Sequence, residues 1–117
     1  GVGAAAELSE ADTFTVFEHI LRMAQLEVER WGGQLVLVSL PDWPAVSAGA
    51  RGDRDQRVLD LAARLGLPVI DCLPPFVAQG AAADARAPAF VASKAHYNAR
   101  GHRLVADQVL ESLAPMR

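Results

Sequence analysis

Two short runs, QLVLVSL at residues 34–40 and LPVIDC at 67–72, constrain this chain more than any other feature. Each is rich in aliphatic and β-branched residues and apolar on both faces, so neither face suits water. A strand of that kind belongs in a parallel sheet covered by helices on both sides. A helical pattern lies between the two runs, as the crossover between parallel strands requires.

The flanking segments supply the helices. Phe14, Phe17, Leu21, Ala24, Val28 and Trp31 recur at intervals of three and four, which predicts a first helix of about six turns. Ser9 with Asp12 suits its N-terminal cap, and Gly32 and Gly33 stop it. PDWPAVSAGARGD, residues 41–53, reads as a loop because of Pro41, Pro44, Gly49 and Gly52. A second helix is expected over 53–65, with Val58, Leu61, Ala62 and Leu65 on one face and Gly66 ending it. Residues 73–90 read as a long loop with room for one short helical turn. Asn98 then caps a last helix whose apolar face is Val105, Ala106, Val109 and Leu113.

The expected class is α/β, a partial doubly wound parallel sheet of the flavodoxin-like three-layer α/β/α kind. Two strands fall short of the roughly five such sheets usually carry. The remaining strands are expected from a missing N-terminal half or from another copy of the chain. Residues 1–117 are therefore read as a single α/β domain or a C-terminal half-domain, with 1–8 as a flexible start. The chain begins with Gly1 rather than Met, which fits a processed product or a piece of something longer, and it leaves the compartment open.

Composition removes several classes of function. With 117 residues, 51% of them apolar, the chain is long enough for one small domain with a core. The net charge of −3 comes from interspersed acids and bases without a basic stripe, which argues against nucleic-acid binding. No apolar run approaches the roughly 18 residues of a membrane span. A single cysteine, Cys72, excludes an internal disulfide and a thiolate metal cluster, and reads as a small buried filler.

The remaining signal is HYNARGH, residues 96–102. It lies beyond the second strand, in the kind of loop where open α/β sheets place working residues. A histidine there is a catalytic base, a metal ligand or an ordinary loop residue. Asn98 offers a helix cap, and Gly101 permits close approach of backbone. Two histidines six positions apart, without a cysteine beside them, are a weak metal signal, and His102 reads as mainly structural.

The stretch from His96 to Ala106, HYNARGHRLVA, resembles the last block of the SGNH (GDSL-type) hydrolases, with its H-x-N-x-x-G-H pattern running into a final helix. QLVLVSLP and LPVID are similar to the family's last two strands, so the resemblance covers most of residues 14–113. It implies an esterase or O-acyltransferase in which His96 is the general base that activates a serine hydroxyl. The implied substrate is an ester or an O-acetylated carbohydrate, and no cofactor or metal is implied.

Two departures matter. The family's aspartate, two or three residues before the histidine, is replaced here by Ser93 and Lys94, neither of which can stabilise an imidazolium. Asp84 is a substitute only if its loop folds back. No Gly-Asp-Ser block and no G-x-S-x-G elbow occurs, so the expected nucleophile lies outside this chain, which alone is expected to be inactive. The second reading is a non-catalytic SGNH-like module that binds a carbohydrate or a protein, or serves assembly. Trp43 and Phe76, in the loops after the two strands, are candidates to line an acyl or sugar pocket, or equally to anchor those loops on the core. Asp71 is expected to cap nearby backbone donors.

Overall fold

The computed structural model describes residues 8–79, 89–91 and 93–116. Of the start expected to be flexible, residues 1–8, only Leu8 is described, and it is exposed; residues 1–7 and Asp84 lie outside the described residues. The chain divides into two compact units, residues 1–35 and 36–117.

Among the described residues the first unit holds one helix, α1 (Glu10–Arg30). Ser9 caps it as its sequence predicts, its Oγ accepting the Asp12 N–H at 3.1 Å. Gly32, at φ 79°, follows the last turn in the left-handed conformation that a residue with a Cβ adopts reluctantly. The stripe of Phe14, Phe17, Leu21, Ala24 and Val28 is half-buried. A second apolar set, Val16, Ile20, Met23 and Leu26, is exposed.

The second unit is α/β, with helices predominating over a small parallel sheet. Its order is β1 (Leu37–Ser39), α2 (Trp43–Ala48), α3 (Asp53–Arg64), β2 (Val69–Asp71), α4 (Leu73–Ala78) and α5 (Ala99–Leu113), followed by a 3-10 turn at Ala114–Met116. The strands run parallel, with Leu37 opposite Val69, Val38 opposite Ile70 and Ser39 opposite Asp71. Both strands are shorter than the apolar runs that announced them. Among the described residues each has one hydrogen-bonding neighbour, so each leaves an edge open.

Two segments read as loops contain helices. In 41–53 the chain forms α2, whose Asp42 Oδ1 accepts the Ala45 N–H at 2.9 Å. Pro44 falls in the first turn, where its missing N–H has no helical partner to lose. Gly49, at φ 70°, ends the helix. The same logic lets Pro74 and Pro75 open α4 directly after β2. Prolines that punctuate a loop and prolines that start a helix look alike in sequence.

Ala45 and Val46 of α2, Leu73 and Phe76 of α4, and Ala89 and Phe90 form one buried cluster. Trp43, Tyr97, Leu104 and Val105 pack around it. Leu61, Ile70 and Cys72 are also buried, so Cys72 is placed as the filler its sequence context suggests. On α5 the half-buried face is Leu104, Val105, Gln108, Val109 and Leu113, whereas Ala106, expected on that face, is exposed. Gln108 uses the place to donate from Nε2 to the Asp71 carbonyl at 3.1 Å, tying α5 to the end of β2. Asp71 caps as expected, its Oδ1 accepting the Leu73 N–H at 3.0 Å, while its Oδ2 pairs with Arg51.

Candidate functional site

A tight turn presents the histidines. Phe90 and Tyr97 form an antiparallel bridge, and the Val91 N–H donates to the His96 carbonyl at 2.9 Å. The Lys94 N–H returns to the Val91 carbonyl at 2.8 Å, with Lys94 itself at φ 60°. A non-glycine residue there is uncommon and mildly strained. Lys94 is thereby placed at the tip of a hairpin-like turn whose second arm carries His96 and Tyr97.

Asn98 and Gly101 fasten this turn to α5. The Asn98 Oδ1 accepts the Gly101 N–H at 3.0 Å as the helix cap, while its Nδ2 donates to the Phe90 carbonyl at 3.1 Å. Its backbone N–H donates to the Ala89 carbonyl at 3.1 Å. Gly101 is buried beneath the turn. A Cβ there would collide with the Ala89 carbonyl oxygen and lie 2.8 Å from the Tyr97 Cβ. The N-x-x-G spacing is thus explained locally: one residue closes both ends of the turn, and the other makes room for it.

Tyr97 joins the turn to the end of β1. Its hydroxyl donates to the carbonyl of Pro41, and its ring lies 4.8 Å from Phe76 and 5.3 Å from Phe90, centre to centre. Burial, then the nearby Cys72 and Asp42, push its pKa up to about 12. Burial, then Asp71, also raises that of the Cys72 thiol. A buried thiol so placed is a poor nucleophile.

Between the turn and the carboxyl end of β1 lies an open cleft of about 500 Å³. Leu40, Pro41, Asp42 and Trp43 form one wall. Lys94, Ala95, His96 and Tyr97 form the other, with Phe90 and His102 completing it. Both histidines of HYNARGH therefore face one cavity, although only His96 was read as chemical. The His102 ring packs edge-on to Tyr97 at 5.9 Å. The Lys94 Nζ sits 5.1 Å from the centre of the Trp43 ring, within cation–π range. Among the described residues, Asp42 is the one carboxylate on these walls.

The predicted pocket residues separate. Trp43 is on the wall, half-buried, with its ring edge-on to Phe90 at 5.6 Å. Phe76 has 0% exposure and supports the Phe90 and Tyr97 rings from beneath, so it cannot touch a ligand. Its place is that of the loop anchor also considered from sequence. Among the described residues neither serine nor cysteine lines the cleft. Ser39, at the end of β1, lies outside it, and its carbonyl accepts the Cys72 N–H at 3.0 Å.

Asp42, Lys94 as a cleft residue and the anchoring role of Tyr97 were not found by sequence reasoning. Tyr97 was visible inside the motif, but nothing in its spacing announced a bond to Pro41, 56 residues earlier. Among the described residues no group of three or more His, Cys, Asp and Glu could hold a metal ion. Nor is any described helix long and apolar enough to cross a membrane. Compared with protein-family models, with curated proteins and with solved structures, the chain matches none.

Proposed function

We propose that this chain is the histidine-bearing, C-terminal part of an SGNH-type ester hydrolase or O-acyltransferase. His96 is the general base in this reading, and it takes the proton from a serine supplied from outside these 117 residues. The observation that carries it is the cleft itself. It lies at the carboxyl end of a parallel strand and is bounded by a turn that Asn98 and Gly101 hold in place. An exposed imidazole on such a wall is free to meet a hydroxyl. Trp43 offers an apolar face to the acyl or sugar part of the ester.

In the same proposal the sheet is the partial, flavodoxin-like sheet of a three-layer domain, completed by an N-terminal half or by another copy. The open edges of β1 and β2 support this, as does the exposure of Val38 (38%) in β1 and of Leu40 (55%) just after it. The test is hydrolysis of p-nitrophenyl acetate by the natural gene product. His96→Gln is expected to lower turnover by about 10²–10⁴-fold, the usual contribution of a general base. Unchanged turnover in that variant would overturn the reading.

A second reading, a non-catalytic SGNH-like module that binds a carbohydrate or a protein, is favoured by one observation. Where the family carries an acid before the histidine, Lys94 stands over Trp43 instead. An O-acetylated oligosaccharide that raises the melting temperature without being hydrolysed would favour this reading over the first.

A further inference from the structure

We propose that the cleft selects esters that carry a carboxylate, and that Lys94 is the residue that selects them. The proposal rests on the hydrolase reading for the word ester, but the anion preference stands on the placement of the Lys94 ammonium over Trp43 in the cleft.

Residues 85–106 contain Arg86, Lys94, Arg100 and Arg103 and no Asp or Glu, a formal charge of +4. The chain as a whole has 11 Lys and Arg against 14 Asp and Glu, so the remainder carries −7. The described part of this stretch, 89–91 and 93–106, supplies the turn and the start of α5 and carries Lys94, Arg100 and Arg103. Among the described residues, Lys94 is the Lys or Arg side chain on the cleft wall. It makes no ion pair among the described residues.

Lys94 is also held. Its φ of 60° and its N–H bond to Val91 fix the backbone, and the Trp43 ring lies under the ammonium. A backbone of this kind persists only where surrounding contacts impose it. An ammonium over an aromatic face beside two histidines is a preformed anion contact. Asp42 opposes it from the other wall, with one oxygen engaged by the Ala45 N–H at the start of α2. A single ammonium facing a single carboxylate wall suits a singly charged group. Phosphate recognition more often uses an arginine fork or a row of backbone donors, and among the described residues no arginine lines the cleft.

The Trp43 face and the Lys94 charge together define a ligand with an apolar stem ending in a carboxylate, its ester carbonyl toward His96. Such a ligand would bind more weakly as salt rises, because this pair is partly exposed.

The test is a ¹H–¹⁵N titration of the full 117-residue chain with monomethyl succinate and, separately, with methyl butyrate. The two esters are alike in size and differ in charge. The succinate ester is expected to shift the Trp43 indole and the His96 and His102 signals, with an affinity about threefold or more above that of the neutral ester. Lys94→Gln, checked by circular dichroism to retain the fold, is expected to abolish that difference. Equal affinities, a preference that survives Lys94→Gln, or no shift at the cleft with either ester would each overturn the proposal. Binding is read without turnover, so a chain that prefers the carboxylate but belongs to no active hydrolase fails only the catalytic reading.

Discussion

Tyr97 is the single tyrosine of the chain, so its environment can be measured directly. Its folded pKa of about 12 lies above the ordinary value of 10. The folded state therefore holds the phenolic proton more tightly than the unfolded chain. This contribution to stability is complete below about pH 10 and is lost as pH rises from about 10 towards 12. Absorbance titration should give a phenol transition well above 10 that returns to the ordinary range in denaturant. A transition at 10 in the folded protein would contradict the burial. Tyr97→Phe removes the donor to Pro41, a buried residue, and is expected to cost about 1–2 kcal/mol in chemical denaturation. Cys72 gives a second single-residue probe. With 0% exposure and a raised pKa, it should react with a thiol reagent only as the protein unfolds. Rapid modification at pH 8 would contradict that placement.

At the scale of elements, the turn and the start of α5 are one unit. Gly101→Ala should therefore act on the cleft and not only on the helix, where alanine is the better residue. The added methyl group meets the Ala89 carbonyl and the Tyr97 Cβ, so the turn must move. A loss of about 1–3 kcal/mol is expected, with altered Trp43 and His96 resonances. A stabilising effect, as at an exposed helical glycine, would show that the close approach does not exist. Asn98, Gly101 and the last helix were legible in sequence because capping and close approach are local rules. So were α1 and α3, whose period survives in their half-buried faces. The helix α2 was hidden, and α4 was legible only as room for one short turn in the loop 73–90, because Pro44, Pro74 and Pro75 signal a break and a first turn alike. Phe76 belonged to the core rather than a pocket wall because burial depends on what covers a residue, here Phe90 and Tyr97, 14 and 21 positions later. The second wall of the cleft was illegible for a similar reason. It rests on a bond between Tyr97 and Pro41 that no periodicity encodes.

The whole molecule presents more apolar surface than its two short strands account for. Ile20 (54%), Met23 (58%) and Leu26 (59%) are exposed on α1, as are Val38 in β1 and Leu40 just after it, and among the described residues both strands have an open edge. The 117 residues alone are therefore expected to self-associate, with a sedimentation coefficient that rises with concentration. One compact monomer across a hundredfold range would mean that these surfaces need no cover. The same open sheet is the reason to look for the nucleophile beyond this chain, since no serine lines the cleft that His96 shares. The most direct measurement is labelling of the natural gene product with a fluorophosphonate, followed by mass mapping of the modified residue. The account predicts a labelled serine outside these 117 residues and a rate that falls about 10²-fold or more in His96→Gln. Absence of labelling, or labelling indifferent to His96, would contradict it.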